Sequence, residues 1–299
     1  MAQKRKTQAV NRIVNEIIIV IVVAAICGFV SAKIAVGRGG GSQSVSTSAS
    51  GEWLARVKKA GVLKIGMAEA APTLSKNAKG QWEGPWTIPS QAIANSLGVK
   101  VQYVTTTWGN IVAGLQSGDY DLAAGLDVTL KRAVAVGFTA PMTGTNNVLM
   151  VQGSGDTKTE SAVLTSSKPV AVPQGSAQES SLKLKDKNIL SVDSFPDAIQ
   201  AVTSGRAVAV LLPADTAVQA AANNPTLRII VPPDPIAVAI SSFGVSRDID
   251  SASLAALNAS ITDAVNSGQI QASFRSVGID TSIDNGYVVA TVPQKYQIS

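Results

Sequence analysis

The stretch WGNIVAGLQSGDYDLAAGLDVTLKRAVAVGFTAP, residues Trp108–Pro141, decides how the chain is organised, because it joins an amphipathic helix to a buried strand. Apolar residues recur at helical spacing near its start, at Ile111, Val112 and Leu115. Gly118 then supplies a C-cap and a turn, and Leu122–Gly125 is typical of a short buried strand. Arg132 follows this strand, where its guanidinium group is placed to meet an anion. The segment therefore predicts a helix, a strand and a candidate binding residue.

Apolar strand patterns alternate with helical patterns along the rest of the chain from Trp53 onward. Such alternation is typical of an α/β fold with mainly parallel sheets. The segment Val231–Pro235 contains three prolines, which lack the backbone N–H that a central strand needs, so a loop is predicted there. The pattern as a whole predicts a two-lobed α/β protein.

The composition predicts a folded and electrically neutral body. The chain has 299 residues, of which 45% are hydrophobic and 15% are charged, which is ample for a large core. Six of the 25 basic residues and one of the 20 acidic residues precede Gly39, which leaves 19 of each from that point onward. A neutral body gives no electrostatic argument for nucleic-acid binding, and none is predicted.

The absence of histidine and the presence of a single cysteine, Cys27, restrict the chemistry further. Disulfides within the chain, His/Cys metal sites and histidine-based catalytic triads are excluded. We predict no metal and no cofactor.

The N-terminal region carries a basic cluster followed by an apolar run. Ile17–Ala32 contains no charged residue, and a transmembrane anchor is predicted over residues 13–36. The basic residues before it predict a cytoplasmic N-terminus over residues 1–12, with the C-terminal domain in the periplasm or extracytoplasmic space. Residues 37–51 are rich in glycine and serine, which predicts a flexible tether. The chain is thus expected to be a single-pass protein of the inner (cytoplasmic) membrane.

Two other interpretations of the apolar run stay open. Val30–Ala32 has the small residues of a signal-peptide cleavage site, so the segment would then be removed. Cys27 would alternatively be a lipidation site, although Ile26 stands where such a site favours Gly, Ala or Ser.

The motifs of the opening stretch resemble those of the family 3 extracytoplasmic solute-binding proteins, the polar-amino-acid receptors of ABC importers. The family pattern is an aromatic residue, LxxGxxD, an apolar strand, TxxR and F(S/T)xP, and its counterparts here are Trp108, Leu115, Gly118, Asp121, Thr129, Arg132, Phe138, Thr139 and Pro141. Further segments that resemble the family follow in the family's order, at Gly61–Gly66, Val170–Glu179 and Leu254–Gly268. The resemblance covers about residues 52–280 and implies a type II periplasmic-binding-protein fold, here preceded by a single N-terminal transmembrane helix.

In the resembling family the chain crosses from the first lobe to the second and then returns. The resemblance implies crossings near Thr143–Val151 and Ala237–Val245. Lobe 1 is then formed by residues 52–145 plus 243–280, and lobe 2 by residues 146–242. The tail, residues 281–299, has no counterpart that we can place and is expected to be an added strand or a docking tail.

The resemblance also implies a solute site between the lobes, where an arginine binds a carboxylate and helix N-termini bind other anionic groups. The candidate ligand-binding residues are Arg132, Thr129, Trp108, Ser176, Ala177 and Asp215. Four of them have a structural alternative. Arg132 would be a surface residue, Thr129 and Ser176 would be helix N-caps, and Trp108 would be a core residue.

The chain departs from the family at several ligand positions. Pro213 stands where the family usually has an aspartate for the ammonium group of the ligand, and Asp215 lies two residues further on. Trp86 and Ile88 replace acidic residues of the first lobe, and Thr73 replaces an aromatic residue. These departures put an ordinary α-amino acid ligand in doubt.

Three functions compete at this point. The resemblance favours a membrane-anchored solute-binding protein that captures a small carboxylate-bearing or amino-acid-like solute by lobe closure and delivers it to an ABC permease. The alternative is a non-binding accessory or structural subunit of a membrane protein complex. An enzyme on the same fold would use Glu179 as its cleft acid, although a first-turn residue stabilised by the helix dipole explains Glu179 as well. We predict a binding protein without catalytic residues.

Overall fold

The computed structural model describes residues 51–298 apart from residues 235 and 237. The predicted cytoplasmic segment, the predicted anchor and nearly all of the tether lie outside the described residues. Within the described part of the chain, none of the helices combines the length and the apolar character needed to cross a membrane.

The helices are numbered here in chain order, and most are short. They are α1 (Glu52–Ala60), α2 (Thr87–Leu97), α3 (Ile111–Ser117), α4 (Leu130–Ala133), α5 (Glu160–Thr165), α6 (Ala177–Lys183), α7 (Phe195–Thr203), α8 (Ala214–Asn223), α9 (Ser251–Asn266) and α10 (Gln269–Ser276), followed by the 3₁₀ helix Gln294–Tyr296.

Local sequence sets where many of these helices begin and end. Five begin behind an N-cap whose side chain accepts a hydrogen bond from a first-turn N–H, namely Thr129, Thr159, Ser176, Ser194 and Asp250. Three end at a glycine in the left-handed conformation, namely Gly61, Gly98 and Gly118. The predicted C-cap at Gly118 is confirmed.

The strands are β1 (Val62–Met67), β2 (Ser75–Lys76), β3 (Trp82–Glu83), β4 (Lys100–Thr105), β5 (Leu122–Asp127), β6 (Gly137–Phe138), β7 (Thr143–Gln152), β8 (Val170–Pro173), β9 (Ile189–Val192), β10 (Ala209–Pro213), β11 (Leu227–Ile230), β12 (Val238–Val245), β13 (Thr281–Asp284) and β14 (Tyr287–Ala290).

Two groups of parallel strands are joined by two antiparallel strands. The main path runs β4-β1-β5-β12-β7-β10-β8-β9, with β11 added beside β7, while β2 and β3 form a separate hairpin. β1 pairs in parallel with β4 and β5, and β8 pairs in parallel with β9 and β10. The predicted two-lobed α/β architecture is therefore confirmed. We call the group that contains β1 lobe 1 and the group that contains β8 lobe 2.

β7 and β12 connect the lobes. The first residues of β7 pair with β12, as in Thr143 with Ser241, whereas its later residues pair with β10 and β11 of lobe 2. β12 returns along β5 of lobe 1. These two strands occupy the segments for which crossings were predicted, and the exact lobe boundaries stay a prediction.

The LxxGxxD motif acts through packing and hydrogen bonding in lobe 1. Leu115 is buried on α3, and Gly118 ends that helix with a φ of 79°. The carboxylate of Asp121 accepts hydrogen bonds from the backbone N–H of Lys64 at 2.9 Å and from Nη1 of Arg56 at 2.9 Å. The motif thus ties α3 and β5 to β1 and α1, and thereby holds the strand that leads to Arg132.

The tail, which had no counterpart in the resembling family, bridges both lobes. β14 pairs in parallel with β7 at the crossing, through Val288 with Thr143 and Val289 with Gly144. Beyond the 3₁₀ helix, the N–H of Ile298 donates to the carbonyl of Ile229 on β11 at 2.9 Å. The expectation of an added strand is confirmed for β14, and the residues after it reach lobe 2.

The core of lobe 1 continues to the cleft through two aromatic rings. Phe243 on β12 is fully buried and packs edge-on against Trp86, with ring centroids 4.9 Å apart. Trp86 is itself only 1% exposed. An indole at this position is thus supported from beneath by a core phenylalanine.

Phe243→Ala should lower the free energy of unfolding by about 3–5 kcal/mol, because it leaves a cavity beneath Trp86. Urea denaturation measures the change. Val238→Ala, on the same strand but 61% exposed, is the matched control and should change stability by about 0.5 kcal/mol at most. Equal losses in the two variants would contradict the role given to Phe243.

Candidate functional site

Arg132 is placed between the lobes by the end of β5 and the short helix α4. The hydroxyl of Thr129 caps α4 by accepting from the N–H of Arg132 at 3.3 Å. The guanidinium group turns inward and is 7% exposed. Its Nη1 donates to the carbonyl of Asp127 at 3.1 Å, and its Nη2 donates to the carbonyl of Gly175 in lobe 2 at 3.1 Å. Arg132 is therefore an interior residue that contacts both lobes.

A cavity of about 40 Å³ lies beside Arg132 in the cleft. It is lined by both lobes and by the crossing strands, including Trp86, Trp108, Asp127, Arg132, Thr143, Ser176, Ala177, Asp215 and Ser241. A water molecule needs roughly 10–15 Å³ by the same measure, so the cavity holds only a few atoms in this closed arrangement.

A glycine in lobe 2 allows the lobes to approach this closely. Gly175 in lobe 2 has a φ of 74°, and a Cβ built on it would lie 2.6 Å from the Cα of Gly109 in lobe 1. Any side chain at Gly175 would therefore be strained and would push the lobes apart.

Trp108 stands at the same contact. Its ring lies 6.5 Å from that of Phe195, the first residue of α7 in lobe 2, in an edge-to-face arrangement. Trp108 is 8% exposed, and its Nε1 has no hydrogen-bond partner among the described residues. A buried N–H without a partner is costly, and a ligand acceptor in the cleft would remove that cost.

Asp127 is a cavity residue that lies outside the predicted set of site residues. It is the last residue of β5, and its Oδ1 accepts a hydrogen bond from the hydroxyl of Ser241 on β12 at 2.6 Å. Burial raises the pKa of Asp127, while the charge of Arg132 and the Ser241 hydrogen bond oppose that rise. A signal was available in the sequence, because an acid at the carboxyl end of a buried parallel strand lies where α/β proteins bind ligands.

Asp215 brings a second acid into the cavity from lobe 2. It lies in the first turn of α8 and is 6% exposed, and its Oδ1 accepts from the N–H of Thr216 at 2.8 Å. Burial is the main cause that raises the pKa of Asp215 to about 6; the charge of Asp127 contributes to the rise, and hydrogen bonds from the N–H groups of Thr216 and Asp215 oppose it. Among the described residues, no cation lies within ion-pairing distance of either acid.

The strand-to-helix turn of lobe 2 is held by reciprocal capping. The hydroxyl of Ser176 accepts from the N–H of Glu179 at 3.0 Å, and Oε2 of Glu179 accepts from the N–H of Gly175 at 2.9 Å. Oε1 of Glu179 accepts from Ser191 at 2.8 Å and pairs with Lys183 at 3.0 Å. Burial opposes ionisation, yet these hydrogen bonds hold the pKa of Glu179 below its usual value.

The structure brings five of the six predicted site residues to the cavity: Trp108, Arg132, Ser176, Ala177 and Asp215. Thr129 does not line the cavity, because its hydroxyl faces back to cap α4. Among the family departures, Pro213, Trp86 and Thr73 all reach the cavity wall. Glu179, the acid that an enzyme would use, does not line the cavity and is engaged in capping the turn.

Asp215→Asn should stabilise the solute-free protein at about pH 7.5 by about 1–3 kcal/mol. Burial raises the pKa of Asp215 from 3.8 to about 6, so the folded state holds its proton more tightly than the unfolded state. The stability that this group contributes is full below about pH 4 and is lost as the pH rises through about 6. The stabilisation by Asp215→Asn should therefore become smaller as the pH falls to about 4.5.

Thermal unfolding of the two proteins across this pH range measures the difference. The exposed Asp263 on α9 offers the matched control, and Asp263→Asn should show no such pH-dependent gain. A variant at Asp215 that is less stable than the wild type at about pH 7.5 would contradict the assignment.

Comparison with known proteins identifies the relatives of this chain. Residues 63–276 match the family described as bacterial extracellular solute-binding proteins, family 3. A curated protein of Sinorhizobium fredii, named "Probable amino-acid ABC transporter periplasmic-binding protein y4tE", is 27% identical over 192 residues. That alignment covers 61% of this chain and 64% of the relative, which is slightly less than two thirds of its length.

Solved structures show the same fold. The arginine-bound form of truncated ArgBP from T. maritima is 25% identical with a TM-score of 0.65, and the match covers 70% of this chain and 99% of that one. The ancestral amino acid-binding protein AncCDT-1, a precursor of cyclohexadienyl dehydratase, is 25% identical with a TM-score of 0.64, covering 75% of this chain and 96% of that one. With its two-lobed fold and its family match over well over half of its length, this chain belongs to the family 3 bacterial extracellular solute-binding proteins.

Proposed function

We propose that this protein captures a small amino-acid-like solute that bears a carboxylate, by closing its two lobes around it, and delivers the solute to an ABC permease. The observation that carries the proposal is the position of Arg132, a buried guanidinium group on the wall of an interlobe cavity.

Arg132 has the donors that a carboxylate needs. A guanidinium group has five N–H donors, and the two hydrogen bonds to Asp127 and Gly175 leave three of them for another acceptor. A planar fork of this kind binds a carboxylate through two parallel hydrogen bonds. A carboxylate in the cavity would also compensate for the burial of the arginine charge.

Other groups of the cavity suit the remaining parts of such a solute. The carboxylate of Asp215 offers a negative charge for an ammonium group, and the unpaired N–H of Trp108 offers a donor. Ser176 and Ala177 begin α6, where backbone N–H groups have no partner within the helix. Thr129 is not part of the proposed ligand set, because its hydroxyl caps α4.

Closure is the proposed mechanism of capture. Contacts between the lobes, such as Arg132 with Gly175, form only when the cleft is closed. A solute that touches both lobes binds the closed form more tightly than the open form and shifts the population towards it.

The names of the relatives support an amino-acid-type solute and an ABC permease as partner. We further propose that residues 13–36 hold the protein in the inner membrane, with the solute-binding domain outside the cytoplasm. No enzymatic role is proposed, because the carboxylate of Glu179 is engaged by the N–H of Gly175, by Ser191 and by Lys183.

Arg132→Ala should weaken binding of the solute by roughly 100-fold, because it leaves a buried carboxylate without its partner. The proteinogenic L-amino acids, each tested singly by thermal shift and then by isothermal titration calorimetry, provide the probes. Arg206→Ala removes an exposed arginine of lobe 2 and should leave the affinity unchanged.

Absence of binding by the wild type to every amino acid would contradict the proposal. If purification from membranes in mild detergent then gave a stoichiometric membrane complex with no released solute, the protein would be an accessory subunit instead.

A further inference from the structure

We propose that Asp127 is the residue that selects solutes with an amino group, by binding the ammonium beside the carboxylate that Arg132 holds. The inference rests on the proposed function and deepens it, because it names a specificity residue that lies outside the motif positions of the family.

The position of Asp127 next to Arg132 is the first argument. Nη1 of Arg132 donates to the backbone carbonyl of Asp127 itself at 3.1 Å, and both side chains line the same cavity. In an α-amino acid the carboxylate and the ammonium group are both attached to the α-carbon. The acid that binds the ammonium must therefore lie beside the arginine that binds the carboxylate.

The second argument is that the carboxylate of Asp127 is held in place by a hydrogen bond but forms no close ion pair within the described part of the chain. Ser241 donates to its Oδ1 at 2.6 Å and fixes the rotamer from the neighbouring strand. No ion pair to it forms among the described residues. A carboxylate withdrawn from water needs a cation, and the cavity it faces is where a solute would supply one.

Asp215 is less well placed for this role. It belongs to lobe 2, and its Oδ1 already accepts from the N–H of Thr216 at the start of α8. The charge of Arg132 acts on the carboxyl group of Asp127, whereas the charge that acts on Asp215 is that of Asp127. Asp127 is also the acid whose own backbone carbonyl Arg132 contacts, whereas Asp215 lines the cavity from lobe 2.

The charge of the cavity agrees with this division of roles. The charged side chains that line the cavity are two acids, Asp127 and Asp215, and one base, Arg132. The site therefore favours a solute that contributes a positive group and disfavours an acid that has none. An α-hydroxy acid, in which a hydroxyl replaces the amino group of the amino acid, would still bind Arg132 through its carboxylate. It would offer no cation to Asp127.

The test uses pairs of probes and matched variants of the full chain. The first probe is the proteinogenic L-amino acid that binds the wild type most tightly, and the second is the α-hydroxy acid with the same side chain. Asp127→Asn keeps the shape of the residue and an acceptor for Ser241. Asp119→Asn removes the same charge from the exposed turn before β5 and is the control.

Asp127→Asn should weaken binding of the amino acid by roughly 30-fold or more in isothermal titration calorimetry. The same variant should change binding of the α-hydroxy acid by about threefold at most. The preference for the amino acid over the α-hydroxy acid should therefore be largely lost. Asp215→Asn should reduce that preference less, and Asp119→Asn should leave it unchanged.

Two results would overturn the assignment while the proposed function stands. In one, Asp127→Asn binds the amino acid within about threefold of the wild type. In the other, it loses both probes equally, which would make Asp127 a structural residue. A wild type that binds neither the amino acids nor their hydroxy analogues would instead defeat the proposed function itself.

Discussion

The buried guanidinium group of Arg132 is the interaction on which the closed form of this protein depends. It donates to a carbonyl at the end of β5 and to the carbonyl of Gly175 across the cleft, both at 3.1 Å. Burying a cation among neutral carbonyls is unfavourable unless further acceptors complete its shell. The same group therefore joins the two lobes, and its remaining N–H donors would bind the anionic solute that we propose.

The two acids of the cavity extend this logic. Asp127 and Asp215 come from different lobes, and burial raises the pKa of both carboxyl groups. Their approach on closure is electrostatically unfavourable in an empty cleft and becomes favourable when a cation lies between them. Under the proposed function, the site would give up stability in the solute-free protein in exchange for affinity.

The scaffold limits how the lobes can move. β7 and β12 connect the two lobes. β14 pairs with β7 at this connection, and the chain after β14 continues to Ile298, which hydrogen-bonds to Ile229 in lobe 2. Ala290, at the end of β14, also lines the cavity. The proposed closure would therefore also involve the C-terminal segment, because β14 and β12 both pair with β7.

The order of strands and helices, the helix caps and the residues of the arginine motif could be predicted from the sequence, because hydrophobic period, cap chemistry and turn glycines act over a few neighbouring residues. The sequence placed Arg132, Trp108 and Asp215 correctly at one cavity, but it could not separate the capping role of Thr129 from a ligand role, since the same hydroxyl serves either. The position of Asp127 beside Arg132 and Ser241 is visible only in the tertiary structure. The contact between Asp127 and Ser241 depends on the register between β5 and β12, which are more than a hundred residues apart in the chain. The tertiary structure likewise decided that the tail pairs with β7, since strand pairing over long separations leaves no local pattern.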